Sequence, residues 1–390
     1  MSFQMKRAFA TFSANKVAAL CMGFAVLAAC LPHAAKGQGV TPSEILIGQV
    51  ADFSGPLAGN VKEGTDVVRA YFDSVNKAGG VNGRKIVLIS LDDGYDPKKT
   101  VALAKTLIES KGVLALILGR GTSNAEALMP LLLEDRVPMV GFAGGSVAMH
   151  TPPNRYLFNL RPPYRIEAQR AAEQLAAQGI STIAAVYTDD AFGKDAIVGF
   201  DTVAQNNKLK LTDSIALPRG SSEVAPAIAK IMASNPQAVI AVCVVKPCAA
   251  LRKGLHAAGY LGSFLTLSNT SSSVFVKELG DAARGVIVTQ VFPAPDTQAM
   301  VVSSDFQRLA AEYKLSKSYT AMEGYVYARV LVEAIRRAGP KLSRESLTET
   351  LQSGKKFDLG GYAISFDPKN RTGSTAVELT MITKNGRFMR

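Results

Sequence analysis

Residues 116–126 read LILGRGTSNAE, and this stretch decides how the chain folds. A short apolar run ends in a turn that carries two glycines, two hydroxyl residues and an asparagine, and the helix-like segment AEALMPLLLED overlaps its end. The order of apolar strand, glycine-rich turn and helix is typical of an α/β unit whose turn leads into a helix N-terminus. Such a turn holds a phosphate or a carboxylate, or it is an empty structural turn.

The same alternation of apolar strand and amphipathic helix runs along most of the chain. Two sets of apolar runs are present: ILIGQVAD (45–52), RKIVLISLDD (84–93), VLALILG (113–119) and VPMVGF (137–142), then TIAAVYTDD (182–190), LKLTDSIALP (209–218), QAVIAVCVV (237–245), SFLTLSN (263–269) and GVIVTQV (285–291). Apolar strands that alternate with helices predict parallel sheets covered on both faces. The two sets therefore predict an α/β protein with two doubly wound lobes, between which the chain crosses more than once.

The composition is that of an ordinary soluble protein. The 390 residues are 47% hydrophobic and 19% charged, and this length suits two domains. The formal net charge of +12 is scattered along the chain, without a basic stripe or interleaved aromatic residues. This distribution argues against a nucleic-acid partner and modestly favours an anionic or zwitterionic ligand.

The N-terminal segment has the pattern of a secretory signal peptide. The apolar run VAALCMGFAVLAA (17–29) is short for a bilayer span, and basic but no acidic residues precede it. We therefore expect residues 1–30 to be a signal peptide, cleaved between about 29 and 38, and the exported protein to be periplasmic. The sequence LAAC resembles a lipobox, so two outcomes stay open: a lipid anchor on Cys30, or ordinary cleavage a few residues later.

Two cysteines remain once that segment is set aside. Cys243 and Cys248 lie in AVCVVKPCAA, and in an oxidising compartment they can form a local disulfide across Pro247. The alternative is two separate thiols, one in a buried strand and one at a helix start. Even with His150 or His256 this pair supplies too few ligands for a metal, so we expect no metal site.

The segment GRGTSN (119–124) lacks the features of a phosphate-binding loop. Its G-x-G-x-x-N spacing misses the third glycine of a dinucleotide fingerprint, and it has no G-K-[ST] sequence. We therefore expect no cofactor. Outward-facing N–H groups beside the hydroxyls of Thr122 and Ser123 suit one small carboxylate. The alternative is an empty turn with Ser123 or Asn124 as the helix N-cap.

Two more glycine-rich loops follow strands of the first set. FAGGSVAMH (142–150) follows the fourth apolar run, and DFSGPLAGN (52–60) follows the first. Loops at the carboxyl ends of parallel strands form the ligand-binding edge of an open α/β sheet. Ser54, in the second of these loops, is therefore either a ligand contact or part of a tight turn.

The loop 142–150 also supports an enzyme hypothesis. It contains the pattern G-x-S-x-A, which is one residue short of a hydrolase nucleophile elbow, with Ser146 at the nucleophile position. His256 and Asp281 are the candidate partners of that serine. The chain order of the three residues is wrong for an elbow hydrolase and the last glycine is missing, so a serine hydrolase is the remote alternative.

A series of motifs resembles one known family. The chain contains, in this order, FSGPLAG, VNKAGGVNGRKI, LDDGYDPKKTVALAKTLI, ILGRGTSNAEALMPLL, VPMV, FNLRPPY and YTDDAFGKDAI. The series is similar to the branched-chain amino-acid-type solute-binding proteins of bacterial ABC importers, over about residues 44–390. The resemblance implies a type I periplasmic binding fold, which is two Rossmann-like lobes joined by three hinge strands. It also implies a non-enzymatic receptor whose lobes close over a ligand.

The resemblance further implies lobe boundaries and a partner. We expect residues 44–164 and 293–358 to form the first lobe, and residues 165–292 and 359–390 to form the second. The closed form of such a receptor is recognised by an ABC permease complex in the inner membrane. A sensor that hands its closed form to a membrane signalling partner is the alternative function, because the same fold serves that role.

The family's ligand-binding positions can be matched in this chain. In the family the first lobe holds most of the ligand, and the matching positions are Thr122, Ser123, Gly144 and Ser146. Where an aromatic residue often follows the first Gly-Pro turn, this chain has Asn60. The family's second-lobe aromatic residue before a glycine corresponds to Phe192.

Two departures from the family pattern concern the ligand's amine. Where amino-acid binders place a second-lobe acid, this chain has Ser268 or Asn269. Where they place a second-lobe tyrosine, this chain has the region of Val244 and Val245. A zwitterion would leave its buried ammonium group poorly paired there. We therefore expect a small carboxylate without an amine, such as an aromatic or short aliphatic acid. A leucine-like ligand remains the alternative if Glu323 reaches the cleft.

Overall fold

The computed structural model describes residues 39–206 and 209–390. The predicted signal peptide and the lipidation candidate Cys30 lie outside the described residues, so both stay predictions. Among the described helices, none combines the length and apolar character that a bilayer-spanning segment needs.

The first sheet consists of five parallel strands. They are β1 (Glu44–Ala51), β2 (Lys85–Asp92), β3 (Ala115–Arg120), β4 (Met139–Ala143) and β5 (Leu157–Phe158), in the order β2-β1-β3-β4-β5. The helices between them are α1 (Ala58–Lys77), α2 (Pro97–Lys105) and α3 (Thr122–Glu134). Asp96 is the N-cap of α2 and accepts hydrogen bonds from the N–H groups of Lys98 and Lys99. The two-residue strand β5 is one that the apolar pattern did not indicate.

The second sheet begins with five further parallel strands. They are β6 (Thr182–Thr188), β7 (Lys210–Leu217), β8 (Ala238–Val242), β9 (Ser263–Thr266) and β10 (Val286–Gln290). The helices of this part are α4 (Tyr164–Ala177), α5 (Ala191–Asn206), α6 (Ala225–Ser234), α7 (Val245–Ala257) and α8 (Ser273–Leu279). Each of the five strands overlaps an apolar run of the second set.

The C-terminal part of the chain contributes to both sheets. The elements α9 (Val301–Glu312), α10 (Tyr319–Ala338), α11 (Arg344–Leu351), β11 (Phe357–Asp358) and β12 (Ala363–Ile364) pack with the first sheet. β13 (Glu378–Ile382) and β14 (Phe388–Met389) then join the second sheet in antiparallel orientation, which gives the order β14-β13-β10-β9-β8-β6-β7. A Cβ on Gly324 of α10 would lie 2.5 Å from the main-chain oxygen of Gly64, so glycine permits α10 and α1 to pack closely.

Both faces of each sheet are buried. In β8, Val239 and Ala241 belong to one apolar cluster, whereas Ala238, Ile240 and Val242 belong to another. Because successive side chains of a strand point to opposite faces, this alternation shows that apolar cores cover both sides of the second sheet. Residues of β3 divide in the same way between two clusters on the first sheet.

We call the first sheet with its packed helices lobe 1, and the second sheet with its helices lobe 2. The chain passes between the two sheets through residues 159–163, 291–300 and 365–377. Two of these segments pair with each other, because the N–H of Asn159 donates to the oxygen of Arg371. Leu359, Ile364 and Phe366 pack in the core of lobe 1. We therefore propose that the last part of lobe 2 begins near residue 377 rather than at 359, and we keep the other predicted boundaries as a proposal.

Candidate functional site

The helix α3 begins directly at the carboxyl end of β3. The helix-like segment begins at Ala125 in the sequence, and the alternative of an empty turn gave the N-cap to Ser123 or Asn124; both positions are wrong. The helix starts at Thr122, and its N-cap is Gly121, which offers no side-chain hydrogen bond. The first N–H groups of α3, with the partial positive charge of a helix N-terminus, are therefore left at the edge of the sheet.

Gly121 is required at this position by its backbone and by a close neighbour. Its φ is 103°, and a Cβ there would lie 2.6 Å from Cε2 of Tyr95. A side chain would therefore be strained and would displace the Tyr95 ring. The next strand-end loop is also close, because the N–H of Gly145 donates to Oγ1 of Thr122 at 3.4 Å. The loops after β2, β3 and β4 thus meet around the start of α3.

A cavity between the lobes opens at this point, and we call it the interlobe cavity. Lobe 1 supplies Leu57, Tyr95, Arg120, Gly121, Thr122 and Ala143, and lobe 2 supplies Tyr164, Phe192, Val244 and Asn269. The cavity volume is about 20 Å³, so the lobes lie nearly against each other here and a solute would have to part them. Occupied ligand pockets are commonly about 300–1,000 Å³, so any solute bound here would be small and would require the lobes to move apart.

Aromatic rings form much of the wall on the side of lobe 2. The rings of Tyr164 and Phe192 meet edge to face, with 4.6 Å between their centroids. Burial raises the pKa of Tyr164 to about 12, so its hydroxyl stays protonated and neutral at physiological pH. The wall therefore offers apolar ring surface and neutral polar atoms to a ligand.

Arg120 is the one charged side chain among the described residues that line the interlobe cavity. Its Nη2 lies 2.6 Å from Oε2 of Glu323. Oε1 of the same carboxylate lies 3.5 Å from Nη1 of Arg161 and accepts a hydrogen bond from the hydroxyl of Tyr327. Arg161 is paired in turn with Glu167 at 2.6 Å. Two arginines and two glutamates therefore form a buried, formally neutral network beside the cavity.

Glu323 does not line the interlobe cavity. It lies in a neighbouring small cavity with Arg161 and Ser268, and it is only 4% exposed. Its carboxylate is shared by two guanidinium groups and a tyrosine hydroxyl. Among the described residues, the wall of the interlobe cavity accordingly carries no carboxylate.

Asn269 brings a single amide group to the cavity wall. Its Nδ2 donates to the main-chain oxygen of Cys243 at 2.9 Å, which fixes the orientation of the amide. Its Oδ1 is buried and has no hydrogen-bond partner among the described residues. Nδ2 of Asn60, in lobe 1, donates to the main-chain oxygen of Asn269 at 2.9 Å and so joins the lobes at this point.

The structure places the other predicted positions in different surroundings. Thr122, Phe192 and Asn269 line the interlobe cavity, and Gly144 lies beside Thr122. Ser123 is half-buried in the first turn of α3, and Ser54 is exposed. Two further predicted serines are engaged elsewhere: Ser146 donates to Glu126, and Ser268 donates to Glu167 at 2.9 Å and accepts from Arg161.

Sequence reasoning missed several cavity residues at strand ends. Arg120 is the last residue of β3, and Tyr95 is the third residue after β2. Tyr164 is the first residue of α4. The rule that ligands bind at the carboxyl ends of parallel strands applies to Arg120 and Tyr95. Arg120 stands inside the GRGTSN motif, where the glycines and hydroxyl residues dominated the interpretation.

A disulfide joins Cys243 and Cys248, whose Cα atoms are 5.5 Å apart. The sequence left this bond and two free thiols as equal alternatives. Val244 lies between the two cysteines and lines the interlobe cavity. The disulfide therefore restrains a loop that forms part of the cavity wall.

The geometry around Ser146 does not form a hydrolase triad. Ser146 donates its hydroxyl hydrogen to Oε1 of Glu126, so the bonded partner is a carboxylate and not a histidine. His256 is exposed near the end of α7 in lobe 2. His150, which is nearer in sequence, uses Nδ1 in a 2.7 Å hydrogen bond with Thr372.

Two α/β lobes that enclose a small cavity at the carboxyl ends of parallel strands define a small-molecule receptor of the two-lobed type. A family model described as periplasmic binding protein matches residues 44–387. The chain belongs to this family, and its curated relatives carry leucine/isoleucine/valine-binding names. The family is periplasmic, and these relatives are solute-binding proteins and not enzymes.

Individual relatives agree with the family assignment. A crystal structure of a substrate-binding periplasmic protein from Ralstonia solanacearum is 32% identical, with a TM-score of 0.84, over 89% of this chain and 99% of that chain. Leu/Ile/Val-binding protein homolog 3 of Brucella melitensis is 24% identical over 81% of this chain and 85% of its own length. An ABC-transporter solute-binding protein of R. palustris, solved with benzoate, is 19% identical, with a TM-score of 0.80, over 89% of this chain and 95% of that chain.

Proposed function

We propose that the chain is the solute-binding component of an ABC importer and captures a small carboxylate that lacks an amine. The observation that carries this proposal is the N-terminus of α3, which meets the interlobe cavity beside Arg120 without a side-chain cap. Main-chain N–H groups at a helix N-terminus, together with a guanidinium group, suit a carboxylate. The solute would lie with its acid end against lobe 1.

The charges around the interlobe cavity support an anion over a zwitterion. Arg120 is the one charged group on the described wall, and Glu323 is already shared by Arg120 and Arg161. The network of these residues with Glu167 is formally neutral, so the preference rests on the groups that reach the wall: the guanidinium of Arg120 can donate to a carboxylate there, whereas no described carboxylate faces an ammonium group. Because an unpaired buried charge is strongly unfavourable, an amino acid should bind more weakly than the acid without its amine.

The relatives do not decide between an amino acid and an acid without an amine as the ligand. The Brucella melitensis relative has a name of the leucine/isoleucine/valine-binding type, whereas the R. palustris protein was solved with benzoate, an acid without an amine. The polar residues that line this chain's cavity favour the second kind of ligand. The importer role implies a permease complex in the inner membrane as the partner of the closed form.

Three matched compounds test the proposal. 4-Methylpentanoate has the carbon skeleton of leucine without its amine, and 4-methylpentanamide lacks the negative charge as well. We expect 4-methylpentanoate to raise the melting temperature, because a ligand at 100 times its Kd stabilises the native state by about 2.7 kcal/mol. Leucine should have a smaller effect and the amide none. Thermal-shift measurements and calorimetry on the exported protein would provide the comparison, and benzoate and benzamide form a second matched pair.

Two outcomes would contradict the proposal. Equal stabilisation by an acid and its amide would show that the start of α3 does not hold a carboxylate. Stronger stabilisation by leucine than by 4-methylpentanoate would show that the site provides an amine anchor. Sodium chloride at matched ionic strength is the control for a general salt effect on melting.

A further inference from the structure

Arg219 joins the two lobes beside the interlobe cavity. It lies in the loop that follows β7, in lobe 2, and its Nη2 donates to the main-chain oxygen of Tyr95 and to Oδ1 of Asn124, both at 3.0 Å. Its guanidinium carbon lies 4.0 Å from the centre of the Tyr95 ring, which is a cation–π distance. Tyr95 and Asn124 both belong to lobe 1, so one side chain makes three contacts across the lobes.

The side chain of Arg219 is also held by its own lobe. Its Nε lies 3.3 Å from Oδ2 of Asp190, a residue at the carboxyl end of β6 that is only 8% exposed. Oδ1 of Asp190 accepts a hydrogen bond from the N–H of Gly193 at 3.1 Å. If the lobes separate, the pair of Arg219 and Asp190 can move as one unit, whereas the contacts with Tyr95 and Asn124 must break.

The partners of Arg219 in lobe 1 are fixed close to the proposed carboxylate site. Nδ2 of Asn124 donates to Oγ1 of Thr100 at 2.7 Å, which leaves Oδ1 of the same amide for Arg219. Tyr95 lines the interlobe cavity and packs against Gly121, the N-cap of α3. Arg219 therefore engages the residues that surround the start of α3.

We propose that Arg219 is a latch residue, a positioning residue that holds the closed lobes together and slows release of the bound solute. This inference rests on the proposed solute-binding function, but it does not depend on which solute binds. The contacts of Arg219 with lobe 1 exist only while the lobes are closed, so they raise the free energy of opening. Solute leaves and enters through the open form, so the latch slows dissociation directly and slows association only by the share of empty receptor that it holds closed.

Two substitutions and a matched control test the latch. Arg219→Gln removes the charge and the guanidinium fork, whereas Arg219→Lys keeps a cation near Tyr95 but loses the paired donors. Arg165→Gln is the control, because Arg165 pairs at 2.7 Å with Asp195 inside lobe 2 and is similarly exposed, at 32% against 28% for Arg219. With 4-methylpentanoate as the probe, stopped-flow tyrosine fluorescence can report binding, since the chain contains no tryptophan.

We expect R219Q to release 4-methylpentanoate about tenfold faster than the wild type, since it loses charge-assisted hydrogen bonds and a cation–π contact. Its association rate should stay within about twofold, R219K should be intermediate, and R165Q should release the probe like the wild type. A merely structural role would lower the urea midpoint of R219Q without changing the dissociation rate. Equal dissociation rates for R219Q and R165Q would overturn the latch.

A second measurement separates failure of the latch from failure of the proposed ligand class. If 4-methylpentanoate does not bind the wild type, the proposed ligand class fails, and small-angle X-ray scattering without added solute decides the latch. R219Q should then have a larger mean radius of gyration than R165Q, because the closed form has lost its latch. Equal radii would overturn the proposal.

Discussion

The family resemblance assigns the position of an amino-acid receptor's acid to Ser268 or Asn269; we propose that the amide of Asn269 stands there, and one substitution can exchange these two groups. Nδ2 of Asn269 bonds to the main-chain oxygen of Cys243, and its Oδ1 lacks a partner among the described residues. The neutral amide oxygen can accept a hydrogen bond but carries no charge to pair with an ammonium group, which needs a carboxylate. The preference for an amine-free acid should therefore depend strongly on this residue.

We expect Asn269→Asp to shift the binding preference towards leucine. The new carboxylate would pair with the ligand's ammonium group, so the ratio of the leucine affinity to the 4-methylpentanoate affinity should rise at least about tenfold, or about 1.4 kcal/mol. Calorimetric titration of both compounds measures this ratio. Asn235→Asp, at an exposed helix end in lobe 2, is the control for the added charge. An unchanged ratio in Asn269→Asp would mean that this side chain does not face the ligand's amine position.

His150 is a buried residue whose protonation opposes folding. It is 7% exposed, and burial, with the nearby charge of Arg161, lowers its pKa from 6.5 to about 4. The unfolded chain therefore binds a proton at this histidine between about pH 6.5 and pH 4, and the folded chain does not. The folding free energy that depends on neutral His150 is present above this range and is lost as the pH falls through it.

We expect His150→Asn to reduce the loss of stability on acidification. The shift corresponds to about 3 kcal/mol, so the wild type should lose up to that much more unfolding free energy than the variant between about pH 7 and pH 4. Urea unfolding at both pH values measures the difference. His256→Asn, which changes an exposed histidine, should behave like the wild type. Parallel losses in His150→Asn and the wild type would exclude a role for this proton.

At the scale of elements, the hydrophobic pattern predicted the sheets well. Nine apolar runs each overlap a strand of the structure. The central strands β3, β4 and β8 are buried on both faces and are therefore continuous apolar segments, whereas the edge strands β2 and β7 are only partly buried. The pattern missed β5, which has only two residues. It also placed the start of α3 about three residues late, because Ser123 and Asn124 are common N-caps. Gly121, with its positive φ, is the N-cap instead, and the helix starts at Thr122.

The loop from β8 to α7 shows how a disulfide can shape the cavity wall. Cys243 directly follows β8, and Cys248 lies in the first turn of α7. Val244, between them, lines the interlobe cavity. Sequence alone left the bond open, because a spacing of five residues suits either a disulfide or two separate thiols. Only the local backbone path brings the two sulfur atoms together.

We expect joint replacement of Cys243 and Cys248 by serine to lower the unfolding free energy by about 2 kcal/mol, the loop-closure effect of so short a ring. Solute affinity should fall as well, because Val244 becomes less restrained. Urea unfolding and calorimetry of protein purified from the periplasm measure both effects. Added reductant should weaken the wild type and leave the double variant unchanged. A wild type that is indifferent to reductant would mean that the bond contributes no stability.

At the scale of the whole molecule, the assembly of the interlobe cavity was the least predictable feature. The position of Thr122 followed from a local motif, whereas the contact of Arg219 with Tyr95 joins residues 124 positions apart. The charge network was equally unpredictable from the sequence, since Glu323 of α10 meets Arg120 and Arg161 only after α10 has packed on lobe 1. Local patterns therefore predicted the lobes and part of one wall, but the pairings across the lobes depend on tertiary packing.

The latch at Arg219 places two opposing demands on the protein. A stronger contact retains a captured nutrient for longer while the receptor diffuses to the membrane. Under the proposed import function, the same contact must be broken when the transporter pulls the lobes apart, so every gain in retention slows delivery. Uptake should accordingly be fastest at an intermediate latch strength, and a change at this arginine would alter the speed of nutrient transfer without altering which nutrient is chosen.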